Sequence, residues 1–215
     1  MLYTDKSVRC TGRNNQGQIG DNDGTFSNKF GPVLAVGPAN PVRIRTGAEH
    51  TCALIGDGTM QCWGTNYTGQ LGDGTMGGYA LAPQPVHGIT NAIDALTGGY
   101  FTCAVLTDHT AQCWGRNQDG QLGNGDSTTD VPLPGPVQNL GPVAGFSAGG
   151  YHACALMADG SAKCWGRNGS GQVGDGNENA ATGPRFCTGA GSGTSVVLWP
   201  LPSCPSWLRP QHCAV

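Results

Sequence analysis

Ten cysteines and five histidines hold most of the reactive side chains of this 215-residue chain. Six of the cysteines form three pairs, each with nine intervening residues: Cys52 with Cys62, Cys103 with Cys113, and Cys154 with Cys164. Thiols so placed can join as disulfides, stay reduced as small buried apolar groups, or ligate zinc. Zinc sites use closer pairs such as C-x2-C. None occurs here, so no metal is expected. Ten cysteines are many for a reducing compartment, which favours disulfides over reduced thiols. His50 and His152 are candidate general bases. They recur in one segment, Gly47-Ala48-Glu49-His50-Thr51-Cys52-Ala53-Leu54 and Gly149-Gly150-Tyr151-His152-Ala153-Cys154-Ala155-Leu156, whose middle copy carries Phe101 there. Phenylalanine cannot replace a general base, so packed, hydrogen-bonded imidazoles are expected. His87, His109 and His212 are isolated, and no Ser/His/Asp grouping has the setting of a nucleophile. Asp21-Asn22-Asp23-Gly24 and Gly174-Asp175-Gly176-Asn177 lack the downstream glutamate of a calcium loop, and read as turns. These residues predict no enzyme and no cofactor.

Composition narrows the class. Glycine occurs 37 times and proline 14 times, and 12% of residues are charged. This suits a fold of tight turns. The 38% apolar content and five tryptophans argue against disorder. The net charge is -3, without a basic run, which excludes the usual footprint of a nucleic-acid binder. No apolar stretch approaches membrane-spanning length, and Met1 to Cys10 lacks a signal peptide's apolar centre.

The elements that position the cysteines come from a repeat. The segment Cys62-Trp63-Gly64-Thr65-Asn66-Tyr67-Thr68-Gly69-Gln70-Leu71-Gly72-Asp73 recurs from Cys10, from Cys113 and from Cys164, the last two steps being 51 residues each. In the unit around Cys62, strands are predicted at His50–Ile55, Thr59–Gly64, Gln84–His87 and Ala92–Leu96. Four short strands without helical periodicity predict an all-β fold of propeller blades, each with four antiparallel strands. A single blade cannot cover both of its faces, so neighbours must cover them.

The hairpin register follows from Ile55-Gly56-Asp57-Gly58-Thr59. This suits a three-residue loop whose second glycine is left-handed. Such a loop pairs Ile55 with Thr59, Leu54 with Met60, Ala53 with Gln61 and Cys52 with Cys62. The cysteines then fall at a non-hydrogen-bonded pair, within disulfide reach. Three cross-strand disulfides are therefore predicted. Trp63, Trp114 and Trp165 should face away from the bridges and pack between blades. Leu71, Leu122, Val173 and Ile19 should plug their turns.

The pattern Gly-x-x-His-Thr-Cys-Ala-Leu, Asp-Gly, Cys-Trp-Gly-x-Asn-x-x-Gly-Gln-Leu-Gly resembles the regulator of chromosome condensation repeat family over residues 1–186. The resemblance implies a propeller of about seven four-stranded blades. It implies members that exchange guanine nucleotide on small GTPases, bind chromatin or only bind partners. A structurally similar bacterial group inhibits β-lactamases. The cysteine pairs lead to an extracellular or periplasmic expectation, and the variant with cysteine before Trp-Gly, which looks like the bacterial extracellular type, fits it.

Residues 1–46 read as a partial first repeat, 47–97 and 98–148 as full repeats, 149–186 as an incomplete one, and 187–215 as an irregular tail. About three and a half repeats leave the ring incomplete, and a fragment of a longer protein is expected. The pairing of Cys10, Cys187, Cys204 and Cys213 is left open by the sequence. Recognition should sit where repeats differ, on loops of the scaffold: Tyr67 and Thr68, Gln118 and Asp119, Gly169 and Ser170, and Tyr79 in a longer loop. The expected function is a non-catalytic scaffold that binds another protein, with self-association through open blade edges. The alternatives are nucleotide exchange on a small GTPase and inhibition of an extracellular enzyme such as a β-lactamase.

Overall fold

The computed structural model describes residues 1–35, 37 and 40–187. Cys204 and Cys213 lie outside the described residues. The described part is all β, in sheets of antiparallel strands. A two-stranded sheet joins β1 (Arg9–Gly12) and β2 (Lys29–Leu34). The first four-stranded sheet holds β3 (Pro41–Thr46), β4 (His50–Ile55), β5 (Met60–Thr65) and β6 (Tyr79–Pro85), in that order. The second holds β7 (Ala92–Thr97), β8 (Phe101–Leu106), β9 (Ala111–Gly115) and β10 (Val131–Pro136). The third holds β11 (Val143–Ala148), β12 (His152–Met157), β13 (Ala162–Gly166) and β14 (Ala181–Phe186).

Two features differ from the sequence expectation. The strand at Ala92–Thr97 opens the next sheet, paired with β8, instead of closing the sheet of β4 and β5. A cut at residue 47 therefore divides each sheet between its first and second strands. The fourth strand of the first sheet is Tyr79–Pro85, earlier than the predicted Gln84–His87. Its prolines obscure the alternation that marks a strand. They are tolerated because β6 is an edge, and β10 and β14 carry prolines at the same edge.

The hairpin register is as predicted. Leu54 faces Met60, Ala53 faces Gln61 and Cys52 faces Cys62. The Ile55 amide donates to Thr59 at 2.9 Å, and Gly58 has φ 85°. Disulfides join Cys52–Cys62, Cys103–Cys113 and Cys154–Cys164, each with Cα atoms 4.1 Å apart. In the partial first repeat Leu2 bridges Val8, 52 residues before the Leu54–Met60 pair, so this hairpin keeps the same register.

Between sheets the packing is regular. The Cys52–Cys62 bridge shares a buried cluster with Leu71 and with Trp114 of the next sheet. The Cys103–Cys113 bridge does so with Leu122 and Trp165. Each bridge thus faces the following sheet's tryptophan, the placement that strand alternation requires. All three hairpin tryptophans are 0% exposed. Their indole N–H groups donate to backbone carbonyls of the preceding repeat: Trp63 to Gln18 at 3.0 Å, Trp114 to Gln70 at 3.1 Å and Trp165 to Gln121 at 3.0 Å.

Candidate recognition face

The turn that receives each tryptophan is held by its own asparagine. Asn66 Oδ1 accepts the Leu71 amide at 3.0 Å, and Asn66 Nδ2 donates to Asp73 at 3.2 Å. Asn14, Asn117 and Asn168 accept the amides of Ile19, Leu122 and Val173 in the same way. A glutamine completes the turn: Gln70, Gln121 and Gln172 Oε1 accept the amides of Thr68, Asp119 and Ser170. The last glycine of the first three turns, Gly20, Gly72 and Gly123, has no room for a side chain. A Cβ on Gly72 would lie 2.6 Å from Trp114 Nε1, and Gly72 has φ 74°.

With the turn fixed from within, the two residues after the asparagine are pushed outward. Tyr67 is 57% exposed, and Gln118, Gly169 and Ser170 are exposed. Thr68 and Asp119 are half-buried. The Thr68 hydroxyl lies 2.9 Å from Gln70 Oε1 and 3.2 Å from the Tyr100 carbonyl of the next sheet. Asp119 pairs with Arg116 at 3.6 Å. Tyr79 stands apart on the outer strand, edge-on to Phe26 with ring centroids 4.8 Å apart.

The contacts of Thr68 and Asp119 lead to residues that the sequence reading did not single out. Tyr100 and Tyr151 occupy equivalent loops of adjacent sheets, and their rings stack with centroids 6.5 Å apart. Arg116 lies 5.3 Å and Arg167 5.7 Å from the Tyr151 ring centre, within cation–π range. The backbone fixes this proximity: the Arg116 amide donates to the Tyr100 carbonyl at 2.9 Å, and the Arg167 amide to Tyr151 at 2.8 Å. At the corresponding place in the first junction, Arg13 pairs with Glu49 at 3.4 Å. Among the described residues no ion pair engages Arg167, which is exposed. Burial, aided by the nearby Glu49 carboxylate, raises the Tyr100 hydroxyl above its ordinary pKa. A sequence signal for these residues existed: Glu49, Tyr100 and Tyr151 vary at one repeat position.

His50 and His152 are placed as packing groups. His50 is 1% exposed, and its Nε2 lies 2.9 Å from the Thr102 hydroxyl of the next sheet. That hydroxyl donates to the Gln70 carbonyl, so His50 Nε2–H donates to Thr102. Burial lowers the His50 pKa to about 4 and leaves the ring neutral near pH 7. Gly47, Gly98 and Gly149 have no room for a Cβ, because the rings of His50, Phe101 and His152 lie over them. A separate concavity of about 680 Å³ runs along β3, β7 and β11, lined by Arg43, Arg45, Leu96, Thr97 and Phe146 with Met1–Tyr3. Arg45 crosses it to bond Asp94 at 3.1 Å and the Ala95 carbonyl at 2.8 Å. It carries none of the predicted recognition residues.

Comparison with known proteins agrees with this architecture. Two models of the regulator of chromosome condensation (RCC1) repeat match residues 42–70, 93–121 and 143–172, and residues 57–105 and 112–156. The probable E3 ubiquitin-protein ligase HERC6 of Homo sapiens is 30% identical over 80% of this chain and 17% of its own length. The ultraviolet-B receptor UVR8 of Arabidopsis thaliana is 32% identical over 79% of this chain and 39% of its own. Prp20p from Saccharomyces cerevisiae, described with its binding to Gsp1p and histones, superposes with a TM-score of 0.77 at 21% identity. That match covers 88% of this chain and 48% of Prp20p. The chain spans well under half the length of HERC6 and UVR8. Repeat sequence and blade structure together place the chain in the regulator of chromosome condensation repeat family, as a run of propeller blades.

Proposed function

We propose that the chain is a non-catalytic scaffold that binds another protein through the face carrying Tyr100, Tyr151, Arg116, Arg167 and the exposed turn residues Tyr67, Gln118, Gly169 and Ser170. The observation that carries this reading is Tyr151 within cation–π range of two arginines and stacked on Tyr100. Tyrosine and arginine dominate binding energy at protein interfaces. Here they stand on a frame whose turns are held by their own asparagine and glutamine oxygens, so little ordering is left to occur on binding. The binding of Prp20p to Gsp1p and histones supports the same class of function. The three disulfides support a place outside the reducing cytoplasm, extracellular or periplasmic.

Selection of protein ligands from a displayed library, followed by measurement on variants, tests the reading. Tyr151→Ala and Arg167→Ala should each weaken the selected ligands about tenfold or more, while Leu133→Ala on the outer strand leaves them unchanged. Ligands that bind both variants as tightly as the parent would contradict it. Faster nucleotide release from a panel of small GTPases would replace it by the exchange-factor reading. Inhibition of a β-lactamase would replace it by the enzyme-inhibitor reading.

A further inference from the structure

Among the described residues, the third disulfide has a neighbour that the other two lack. Sulfur Sγ of Cys187, a free thiol, lies 3.0 Å from Sγ of Cys164, which is bonded to Cys154. The backbone shows why Cys187 is there. The Val86 amide donates to the Met60 carbonyl, the Val137 amide to Ala111, and the Cys187 amide to Ala162. Cys187 thus fills, in the third sheet, the place that valine fills in the first two. The glycines repeat the equivalence: a Cβ on Gly72 would meet Val86, one on Gly123 would meet Val137, and one on Gly174 would meet Cys187. Where two sheets set an inert methyl group beside the bridge, the third sets a nucleophile. The surroundings differ too. Val86 and Val137 are buried, whereas Cys187 is exposed, and Cys154 is half-buried where Cys52 and Cys103 are buried.

We propose that Cys187, Cys164 and Cys154 form a thiol–disulfide exchange site. The Cys187 thiolate attacks Cys164 Sγ, the Cys164–Cys187 bond forms, and the Cys154–Cys164 bond breaks. Cys154 leaves as a thiolate and takes up a proton. One disulfide and one thiol stand on each side, so no oxidant or reductant enters. The bridge moves from between β12 and β13 to the outer side of β13, and a thiol appears at Cys154 between the two inner strands. The thiolate is the attacking species. Burial and the Asp175 carboxylate hold the Cys187 thiol above its ordinary pKa. Exchange should therefore quicken by roughly tenfold per pH unit through the neutral range. Among the described residues no thiol lies against the Cys52–Cys62 and Cys103–Cys113 bridges as Cys187 does against the third, and they should stay fixed.

Disulfide mapping tests the proposal. The chain is held at pH 8.5 without reductant, blocked with a maleimide under mild acid, and digested with trypsin. Cys154 then lies on the fragment 117–163, Cys164 on 164–167 and Cys187 on 186–215. A companion chain with Cys204→Ser and Cys213→Ser leaves Cys187 as the lone cysteine of its fragment. The expected result is fragment 164–167 linked partly to 117–163 and partly to 186–215, with maleimide divided between Cys187 and Cys154. Cys187→Ser should abolish both the second linkage and the label on Cys154. Fragment 164–167 linked solely to 117–163, with no maleimide on Cys154, would overturn the proposal.

Discussion

The junction between the first and second four-stranded sheets and the junction between the second and third share one frame but differ in what is built on it. At the first, the Gln70 carbonyl accepts both the Trp114 indole and the Thr102 hydroxyl, and Thr102 in turn accepts from His50. At the second, the Gln121 carbonyl accepts the Trp165 indole, but Ala153 stands in place of Thr102. The ring packed toward the next sheet is His50 over Gly47 at the first and Phe101 over Gly98 at the second, and both are buried. What persists is the tryptophan, its carbonyl acceptor, the leucine or valine plug and the left-handed glycine. These are the parts that join one sheet to the next. The rest sets how tight the junction is.

The largest expected effect falls on the shared part. Trp114→Ala and Trp165→Ala should each cost about 3–5 kcal/mol in denaturant unfolding. A loss below about 1 kcal/mol at either site would mean that the sheets do not depend on the indole contact. The next effect separates the junctions by acid. His50 is buried neutral with a pKa of about 4, below its ordinary 6.5. As pH falls, the unfolded chain takes up the proton first. Stability should therefore decline from about pH 6.5 to pH 4, by on the order of 3 kcal/mol in all. His50→Phe, which copies Phe101, should remove this part of the pH dependence. An unchanged acid profile would contradict the burial account.

A smaller contrast concerns the turn glycines. Gly69 and Gly171 are equivalent, with φ 79° and 70°. A Cβ on Gly69 would lie 2.5 Å from Pro132 Cα of the next sheet, whereas nothing lies within 4 Å at Gly171. Gly69→Ala should cost about 2–3 kcal/mol, from backbone strain and overpacking together. Gly171→Ala should cost about 1 kcal/mol, from strain alone. Equal losses would show that strain, not contact, sets the glycine requirement. The smallest effect is a gain. Ala153→Thr supplies the missing hydroxyl to the Gln121 carbonyl and should stabilise by about 0.5–1.5 kcal/mol. No gain would show that the buried space at Ala153 differs from that at Thr102.

Much of this frame could be read from the chain. The hairpin register was legible because a left-handed Gly58 and the hydrogen bond from the Thr59 amide to Asp57 leave one way to close the loop. The disulfides and the direction of the tryptophans follow from that register by alternation alone. The outer strands were less legible, because Pro83 and Pro85 hide a strand whose other edge needs no donors. Sheet boundaries were not legible at all. A repeat has no natural starting point, and the short connection through Gly98 that folds β7 onto β8 looks like any other glycine turn. The face proposed for recognition could be named only in part. Tyr67, Gln118, Gly169 and Ser170 were named from the sequence and are exposed. Tyr100, Tyr151, Arg116 and Arg167 emerged only when adjacent sheets brought separate repeat positions together. Cys187 reads as part of the tail because the third four-stranded sheet is one residue short: Asn124 to Val137 spans 13 positions and Asp175 to Cys187 spans 12.

Side-by-side stacking of the sheets is the claim on which the recognition face rests. The indole N–H signals of Trp63, Trp114 and Trp165, assigned by single Trp→Phe variants, report it directly through hydrogen exchange. Each should be strongly protected, and Gly72→Ala should release Trp114 while sparing Trp165. Indole exchange at the rate of a free tryptophan, or a Gly72→Ala chain with Trp114 still protected, would contradict the account.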